Sequence, residues 1–235
     1  MSAVSSADES NLLIDGLPHK ERNQILECCE PVELAFGAVL SESNRPLQHV
    51  YFPVFGFISL VATVHRHPPL VVGFIGREGM LGATLALGIG AAPLRGVVHG
   101  PGTALRMTAA QLRRELQNNP GLFRRVNRYV YDSMAQFAQT AVCNRFHEVE
   151  ARLSRWLLMA HDRAQADEFH LTHQLLADML GVQRGAVTIA AGALQRQRLI
   201  RYTHGRISIV SRKGLEAASC ECYEAGIREH DRAFA

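Results

Sequence analysis

Residues 175–194 have the sequence LLADMLGVQRGAVTIAAGAL, in which two apolar helical runs flank the glycine at position 181. A helix-turn-helix motif needs a small residue where its helices cross, a glycine that accepts positive φ in the turn, and apolar residues at fixed positions. Counting from His173, Ala177 is the small residue and Gly181 is the turn glycine. Apolar residues occupy the buried positions, namely Leu176, Leu180, Val182, Val187 and Ala190. The pattern predicts two helices joined at Gly181.

Residues 199–211, LIRYTHGRISIVS, alternate between apolar and polar side chains around a His-Gly tip at 204 and 205. Such alternation about a glycine is typical of a half-buried β-hairpin. Because this hairpin directly follows the second helix, the sequence predicts a winged helix-turn-helix.

Positive charge is concentrated in the same region. Residues 171–214 contain seven basic residues and one acid, Asp178, a local charge of +6 in a chain whose total charge is +3. A basic surface on a helix-turn-helix is the electrostatic footprint of nucleic-acid binding. We therefore expect double-stranded DNA as a partner.

The candidate DNA contacts lie on the second helix and the hairpin. Gln183, Arg184 and Thr188 lie at the N-terminal part of the second helix, where a helix in the major groove contacts base edges. The guanidinium of Arg184 could bind either a guanine base or a backbone phosphate, and the sequence does not distinguish the two. Arg196 and Arg198, near the end of the helix, and Arg206, beside the hairpin tip, are expected to contact phosphates.

The first half of the chain has a different pattern, with short runs rich in Val, Ile and Phe separated by Gly, Pro, Asn and Ser. One or two short helices over 11–30 precede an all-β region from 32 to 107. The longest apolar stretch, residues 51–64, contains a proline and a glycine and is too short to span a membrane, so it predicts a pair of strands. Residues 65–69, HRHPP, predict the end of a hairpin.

A long helix comes next. Thr108 and Gln111 form a capping-box pattern that begins a short helix, and Asn119 before Pro120 begins a longer one. Apolar residues then make one stripe on a helix over 120–143. Its members are Phe123, Val126, Val130, Met134, Phe137 and Ala141. The stripe fits packing on the β region and a seam between two copies of the chain equally well. A further amphipathic helix over 147–164 and a loop over 165–170 lead to the helix-turn-helix.

The five cysteines lack the spacing of a known metal motif. Cys220 and Cys222 are expected on different faces of a helix, and no pair has the C-x₂-C spacing of zinc or iron–sulfur ligands. We therefore expect no metal, and reduced, mostly buried thiols.

The sequence also lacks the motifs of metalloproteases, P-loop proteins and dinucleotide-binding enzymes, so we expect no enzyme. Residues 1–10 lack the features of a signal peptide, which favours the cytoplasm and no membrane association.

The order of these parts resembles the cyclic AMP receptor protein/FNR (CRP/FNR) family of bacterial transcription regulators. The resemblance covers residues 12–218 and is most specific over 171–200, LTHQLLADMLGVQRGAVTIAAGALQRQRLI. It implies an α+β fold with a cyclic-nucleotide-binding-type β-roll over 12–119, a long dimerisation helix over 120–146 and a winged helix-turn-helix over 147–218. It also implies a homodimer through the helix 120–143, a near-palindromic operator and RNA polymerase as a further partner.

The ligand region, residues 76–100, departs from the family pattern. Gly82 matches the family's glycine and Arg95 its phosphate-binding arginine, so these two are the candidate effector-binding residues. Ala83 replaces the ribose-binding glutamate, and Gly96 replaces a hydroxyl residue beside the arginine. Because a cyclic nucleotide would lose most of its partners, we expect an effector other than cyclic AMP, and leave its identity open. No Cys or His pattern indicates an iron–sulfur cluster or a haem.

The second helix departs from the family as well. Arg184 matches the first base-reading arginine of the best-known branch, but Gly185 and Ile189 replace its glutamate and its second arginine. That operator therefore does not carry over to this chain. Two functions remain, a homodimeric DNA-binding transcription regulator and a ligand-binding regulatory protein that contacts protein without DNA. The concentrated charge favours the regulator that binds DNA.

Overall fold

The computed structural model describes residues 10–203 and 205–235. Residues 1–10, for which no signal peptide is predicted, lie outside the described residues except for Ser10. His204, at the predicted hairpin tip, also lies outside them. The N-terminal part has two short helices, then strands with one 3₁₀ turn over Ala83–Leu87. In chain order these elements are α1 (Leu12–Asp15), α2 (His19–Glu27), β1 (Glu30–Leu34), β2 (Val39–Ser41), β3 (His49–Ala62), β4 (Leu70–Ile75) and β5 (Arg95–Thr108).

The strands form one antiparallel sheet of β-roll type, in the order β1-β5-β3-β4 with β2 also paired to β5. The predicted pair of strands over 51–64 is wrong, because residues 51–62 belong to the single 14-residue strand β3. The pairing of β3 with β5 shifts register between Pro53 and Ile58. Gly56 has φ +79°, and a Cβ there would lie 2.5 Å from the Gly100 carbonyl oxygen. The residues that resembled a strand break therefore form a bulge that bends one continuous strand.

Other local predictions for this half are confirmed. β3 and β4 pair as an antiparallel hairpin whose loop contains residues 65–69. α3 (Ala109–Asn118) begins with the predicted capping box between Thr108 and Gln111. α4 (Pro120–Phe146) begins where Asn119 accepts a hydrogen bond from the Leu122 backbone amide, and it extends three residues beyond the predicted end at 143. These starts depend on local hydrogen bonding, which is why the sequence locates them well.

The C-terminal part begins directly after α4. Its elements are α5 (Val149–Ala164), β6 (Glu168–His170), α6 (His173–Leu180), α7 (Arg184–Arg196), β7 (Ile200–Thr203), β8 (Arg206–Ile209), α8 (Arg212–Ala218) and α9 (Cys222–Phe234). The predicted hairpin is confirmed as β7 and β8. The predicted loop over 165–170 is wrong in part, because β6 pairs with β8 and gives a three-stranded sheet in the order β6-β8-β7.

The two halves share a packed boundary. Phe74 of β4 meets Trp156 of α5 edge to face, with ring centroids 4.7 Å apart. Glu78 and Arg163 form an ion pair across the same boundary, with Oε1 and Nε 2.8 Å apart and both side chains largely buried. α9 folds back on α4, where Asp132 receives hydrogen bonds from Gln136 and His230. Of the helices within the described residues, none has the length and apolar character needed to cross a membrane.

Candidate nucleic-acid interface

α6 and α7 form the predicted helix-turn-helix. Thr172 caps α6 by accepting a hydrogen bond from the Leu175 amide, and Gly181 ends it in the left-handed conformation, with φ 62° and ψ 38°. Ala177, where the helices cross, is 2 % exposed. The predicted core positions Leu176, Leu180, Val187 and Ala190 are buried, and Val182 is half-buried. The turn therefore fixes which face of α7 is left in solvent.

The exposed face of α7 carries the residues predicted to contact base edges. Gln183 occupies the N-cap position, and Arg184 is the first residue of the helix; both are exposed. No ion pair to Arg184 is present among the described residues. Thr188 is exposed, but its hydroxyl donates to the Arg184 carbonyl and lies 3.0 Å from His173 Nδ1. Its methyl group is therefore the part of Thr188 that is free for a partner.

His173 supports this face from the start of α6. Its ring stacks on Tyr202 of β7, with centroids 4.4 Å apart and an interplanar angle of 14°. Burial, and then the charge of Arg184, lower the pKa of His173 below its ordinary value. The neutral form of the imidazole is thus favoured where His173 contacts both Tyr202 of β7 and Thr188 of α7.

The basic residues around α7 fall into two groups. Arg196, Arg198 and Arg201 are exposed, and none of the described acids forms an ion pair with them. Arg206, predicted to contact phosphate, pairs with Glu168 of β6 at 3.0 Å. Arg212 pairs with Asp162 at 2.7 Å. The +6 counted over 171–214 therefore overstates the free charge, because acids just outside that stretch neutralise two of its arginines.

Ile189 is a surface residue that the sequence did not single out as a contact. Its side chain is 74 % exposed at the centre of the outward face of α7. Gly185 lies on this face too, and a Cβ there would meet nothing within 4 Å. Helical spacing would have linked the two, since Gly185 and Ile189 are four residues apart and so share one face of the helix.

The candidate effector residues are separated in the structure. A cavity of about 240 Å³ lies between the β-roll and α4 and is lined mainly by apolar side chains. Gly82 lines it with φ +102°, and a Cβ at this position would meet Val50 at 2.5 Å. Arg95 is not among the lining residues, and its guanidinium pairs with Glu42 at 3.2 Å. Gly82 therefore remains next to the cavity, and Arg95 does not.

The cysteines are arranged differently from the prediction. Cys220 lies between α8 and α9, and Cys222 begins α9, so the expectation that one helix points them to different faces is wrong. Both lie beside Cys143 and His147 at the end of α4, and the four potential ligand atoms lie within 4.8 Å of one another. Two short patterns in the sequence could have indicated this cluster: Cys143 and His147 are four residues apart, and Cys220 and Cys222 form a C-x-C motif. More than 70 residues separate the two patterns.

Comparisons with known proteins agree with this architecture. Residues 151–218 match the family described as the Crp-like helix-turn-helix domain. No sequence among the curated proteins matches the chain.

Solved structures cover most of the chain at low sequence identity. A regulator assigned to the CRP/FNR family from Eubacterium rectale is 13% identical, with a TM-score of 0.67 over 88% of this chain and 97% of that one. FixK2 from Bradyrhizobium japonicum is 14% identical, with a TM-score of 0.67 over 82% and 98%. The c-di-GMP-responsive regulator CLP from Xanthomonas campestris is 16% identical, with a TM-score of 0.63 over 82% and 99%. The C-terminal domain is thus a Crp-like helix-turn-helix domain, and the chain has the fold of the transcriptional regulators of the CRP/FNR family.

Proposed function

We propose that this chain is a homodimeric transcription regulator that binds a specific DNA sequence through α7 and senses a small effector in its β-roll. The observation that carries the proposal is the outward face of α7. Arg184 and Ile189 are exposed on this face, and α7 contains no acidic residue. Exposed arginines at 196, 198 and 201 surround the face. A helix fits the major groove, and a basic surround supplies affinity for the phosphates on either side.

The side chains of α7 suggest how bases are read. Arg184 has a free guanidinium at the N-terminal end of the helix and suits bidentate contact with a guanine. The Ile189 side chain and the Thr188 methyl suit the C5-methyl group of thymine, since both are apolar and exposed. Gln183, at the N-cap, can donate to or accept from an adjacent base. The proposed operator therefore combines one guanine with neighbouring thymines in each half-site.

The phosphate contacts are assigned to the exposed arginines outside this face. Arg196 is the last residue of α7, Arg198 lies two residues beyond it, and Arg201 lies on β7. Arg206 is already paired with Glu168, so it contributes less unless DNA displaces that carboxylate. These contacts position the domain and make its affinity fall with salt, without selecting a sequence.

Dimerisation is proposed through α4. The predicted stripe divides on this helix: Val126 is buried in the β-roll core, whereas Phe123 and Met134 are 43% and 65% exposed. Ala138 and Ala141 are exposed on the same side, and Val142 is 47% exposed. Exposed apolar residues in a row along one helix are typical of a helix–helix seam. A two-fold axis along α4 would present two α7 helices to a near-palindromic site, as the family resemblance implies.

The chemistry of the cavity disfavours a cyclic nucleotide. A buried phosphate needs a cation or several donors, and no Arg or Lys is among the residues that line this cavity. Its polar side chains are Thr84, Ser133 and Tyr129. We infer an uncharged, mainly apolar effector. The cavity also touches Val130, Met134 and Phe137 of α4, so an effector could shift the balance between two arrangements of the seam.

The proposed division into a sensor (12–119), a dimerisation helix (120–146) and a DNA-binding domain (147–218) follows these roles. α9 adds a segment that contacts α4 outside the three parts.

Recovery of genomic DNA fragments by the purified full chain tests the proposal. We expect a two-fold symmetric consensus with half-sites centred one helical turn apart, about 10 base pairs. Arg184→Ala should weaken binding to that consensus and relax one position in each half-site, at a cost of about 1–3 kcal/mol. Arg45→Ala, which removes an exposed arginine of the β-roll, is the matched control and should change neither. Recovery of no enriched fragment by a dimeric chain would favour the alternative, regulation through protein contacts.

A further inference from the structure

Four side chains with metal-binding atoms meet where α4 ends. Cys143 lies on the last turn of α4, and His147 is the residue that caps this helix. Cys220 lies between α8 and α9, and Cys222 is the first residue of α9. The three thiols are buried and the imidazole is half-buried. Two segments that are far apart in sequence thus supply one compact donor set.

The distances between the donor atoms fit tetrahedral coordination. Cys143 Sγ and Cys220 Sγ are 3.5 Å apart, and Cys222 Sγ and His147 Nδ1 are 3.4 Å apart. Zinc–sulfur bonds of about 2.3 Å and zinc–nitrogen bonds of about 2.0 Å imply tetrahedral edges of about 3.8 Å between sulfurs and about 3.5 Å between sulfur and nitrogen. The sulfurs are too far apart for a disulfide, whose S–S bond is about 2.05 Å.

Neighbouring groups orient these donors. The Nε2 atom of His147 is 3.2 Å from the Glu221 carboxylate, which leaves Nδ1 directed to the thiols. Gln139 donates a hydrogen bond of 2.9 Å to Cys222 Sγ. A carboxylate that holds the far nitrogen of a histidine, and an amide that donates to a thiolate, are the usual supports of metal ligands.

Buried positive charge beside the cluster points to an anion there. Arg155 is 2 % exposed and interacts with Cys143. Its Nε and Nη1 atoms have no hydrogen-bond partner among the described residues, and neither does Nε of the buried Arg152. A buried guanidinium without a counter-charge is costly. Three thiolates around a divalent ion carry a net charge of −1, which would compensate for this cost.

We propose that Cys143, His147, Cys220 and Cys222 bind one zinc ion. Four protein ligands fill a tetrahedral site, so the role is structural. The ligands flank the helix-turn-helix domain, two just before α5 and two just after α8. The ion would therefore fasten both ends of that domain to the end of α4. Binding would release the thiol protons.

Metal titration of the full chain under reducing conditions tests this site. Cobalt(II) serves as the probe, since it gives visible d–d bands in a tetrahedral thiolate site, and zinc should displace it. We expect one equivalent in the unaltered chain and none in Cys220→Ser or His147→Ala. Cys28→Ser, which removes a thiol outside the cluster, should keep the full equivalent. Glu221→Gln should retain the site with affinity lowered about 10–100-fold.

A second readout separates loss of metal from misfolding. A chelator should lower the unfolding temperature of the unaltered chain and of Cys28→Ser, and should leave that of Cys220→Ser unchanged. The proposal is overturned if the unaltered chain binds no cobalt, or if Cys220→Ser and His147→Ala both retain the full equivalent. A Cys143–Cys220 disulfide as the native state of freshly isolated protein, or an iron–sulfur spectrum, would also overturn it.

Discussion

Gly185 provides a test that separates folding from DNA recognition. It is the second residue of α7, and a Cβ built there meets no heavy atom within 4 Å. Glycine in a helix costs up to about 1 kcal/mol relative to alanine, and nothing in the described chain requires it at this position. In the proposed complex, however, the face that carries Gly185 approaches the base edges, where an added methyl group would intrude.

Gly185→Ala is therefore expected to have opposite effects on stability and binding. The free energy of unfolding should rise by about 0.5–1 kcal/mol, which corresponds to an increase of about 1–4 °C in Tm for a chain of this size. Affinity for the selected operator should fall by about 1–3 kcal/mol, the cost of one mismatched base pair, or about 5- to 150-fold.

Gly192→Ala is the matched control. Gly192 lies seven residues later on the same side of α7, and a Cβ there would meet only Arg196 Nη1 at 3.5 Å. The helix should gain similar stability, but the position is two turns from the N-terminal end that reads bases. Thermal unfolding and fluorescence anisotropy with a labelled operator measure both quantities. Equal operator affinity in the two variants would refute the placement of Gly185 at the DNA.

Three further predictions concern the seam, a buried ion pair and α9. Met134→Asp should shift the full chain from dimer to monomer in sedimentation velocity, whereas Met134→Leu should not, because Met134 is 65 % exposed in the single chain. Glu78→Gln should lower the free energy of unfolding by about 3–5 kcal/mol in urea titrations, because it leaves Arg163 charged and buried. The exposed pair Glu42–Arg95 is its control, and Glu42→Gln should cost less than about 1 kcal/mol. The hydrogen bond to Asp132 raises the pKa of His230, although burial lowers it. The negative charge of Glu78 also raises this pKa, and the positive charge of Arg163 lowers it. The protonated form is thus favoured in the folded chain, so its contribution to stability should be complete below about pH 6.5 and lost as pH rises through the raised pKa. His230→Gln should remove this part of the pH dependence, and an unchanged profile would contradict it.

Local hydrogen bonding and short-range patterns made the helix-turn-helix predictable. The φ > 0 requirement at Gly181 and the N-cap at Thr172 each act within one turn of helix, and Ala177 meets a helix that follows only a few residues later. The capping box at Thr108 and the Asn119-Pro120 start are of the same kind. For these elements the residues themselves specify the backbone.

Features that depend on distant partners could not be predicted in this way. Pro53 and Gly56 have the composition of a strand break, but the opposite strand makes them a bulge. β6 is a strand only because β8 lies beside it. The Cys-His cluster forms because α9 returns to α4, which no local pattern around Cys220 indicates.

The free charge around α7 was misjudged for the same reason. Glu168 and Asp162 lie outside the stretch over which charge was counted, but in the folded chain they pair with Arg206 and Arg212. The exposure of Ile189 likewise follows from how α7 packs, with Val187, Ala190 and Leu194 buried.

Sequence-specific DNA binding by α7 is measured by the ratio of two equilibrium affinities. The purified full chain is titrated at physiological salt with its selected duplex and with a scrambled duplex of the same length and composition. We expect the selected duplex to bind at least about 10³-fold more tightly, and both affinities to fall steeply as salt rises. Equal affinities for the two duplexes, or no binding to either by a folded dimer, would contradict the assignment of α7 as a DNA-reading helix.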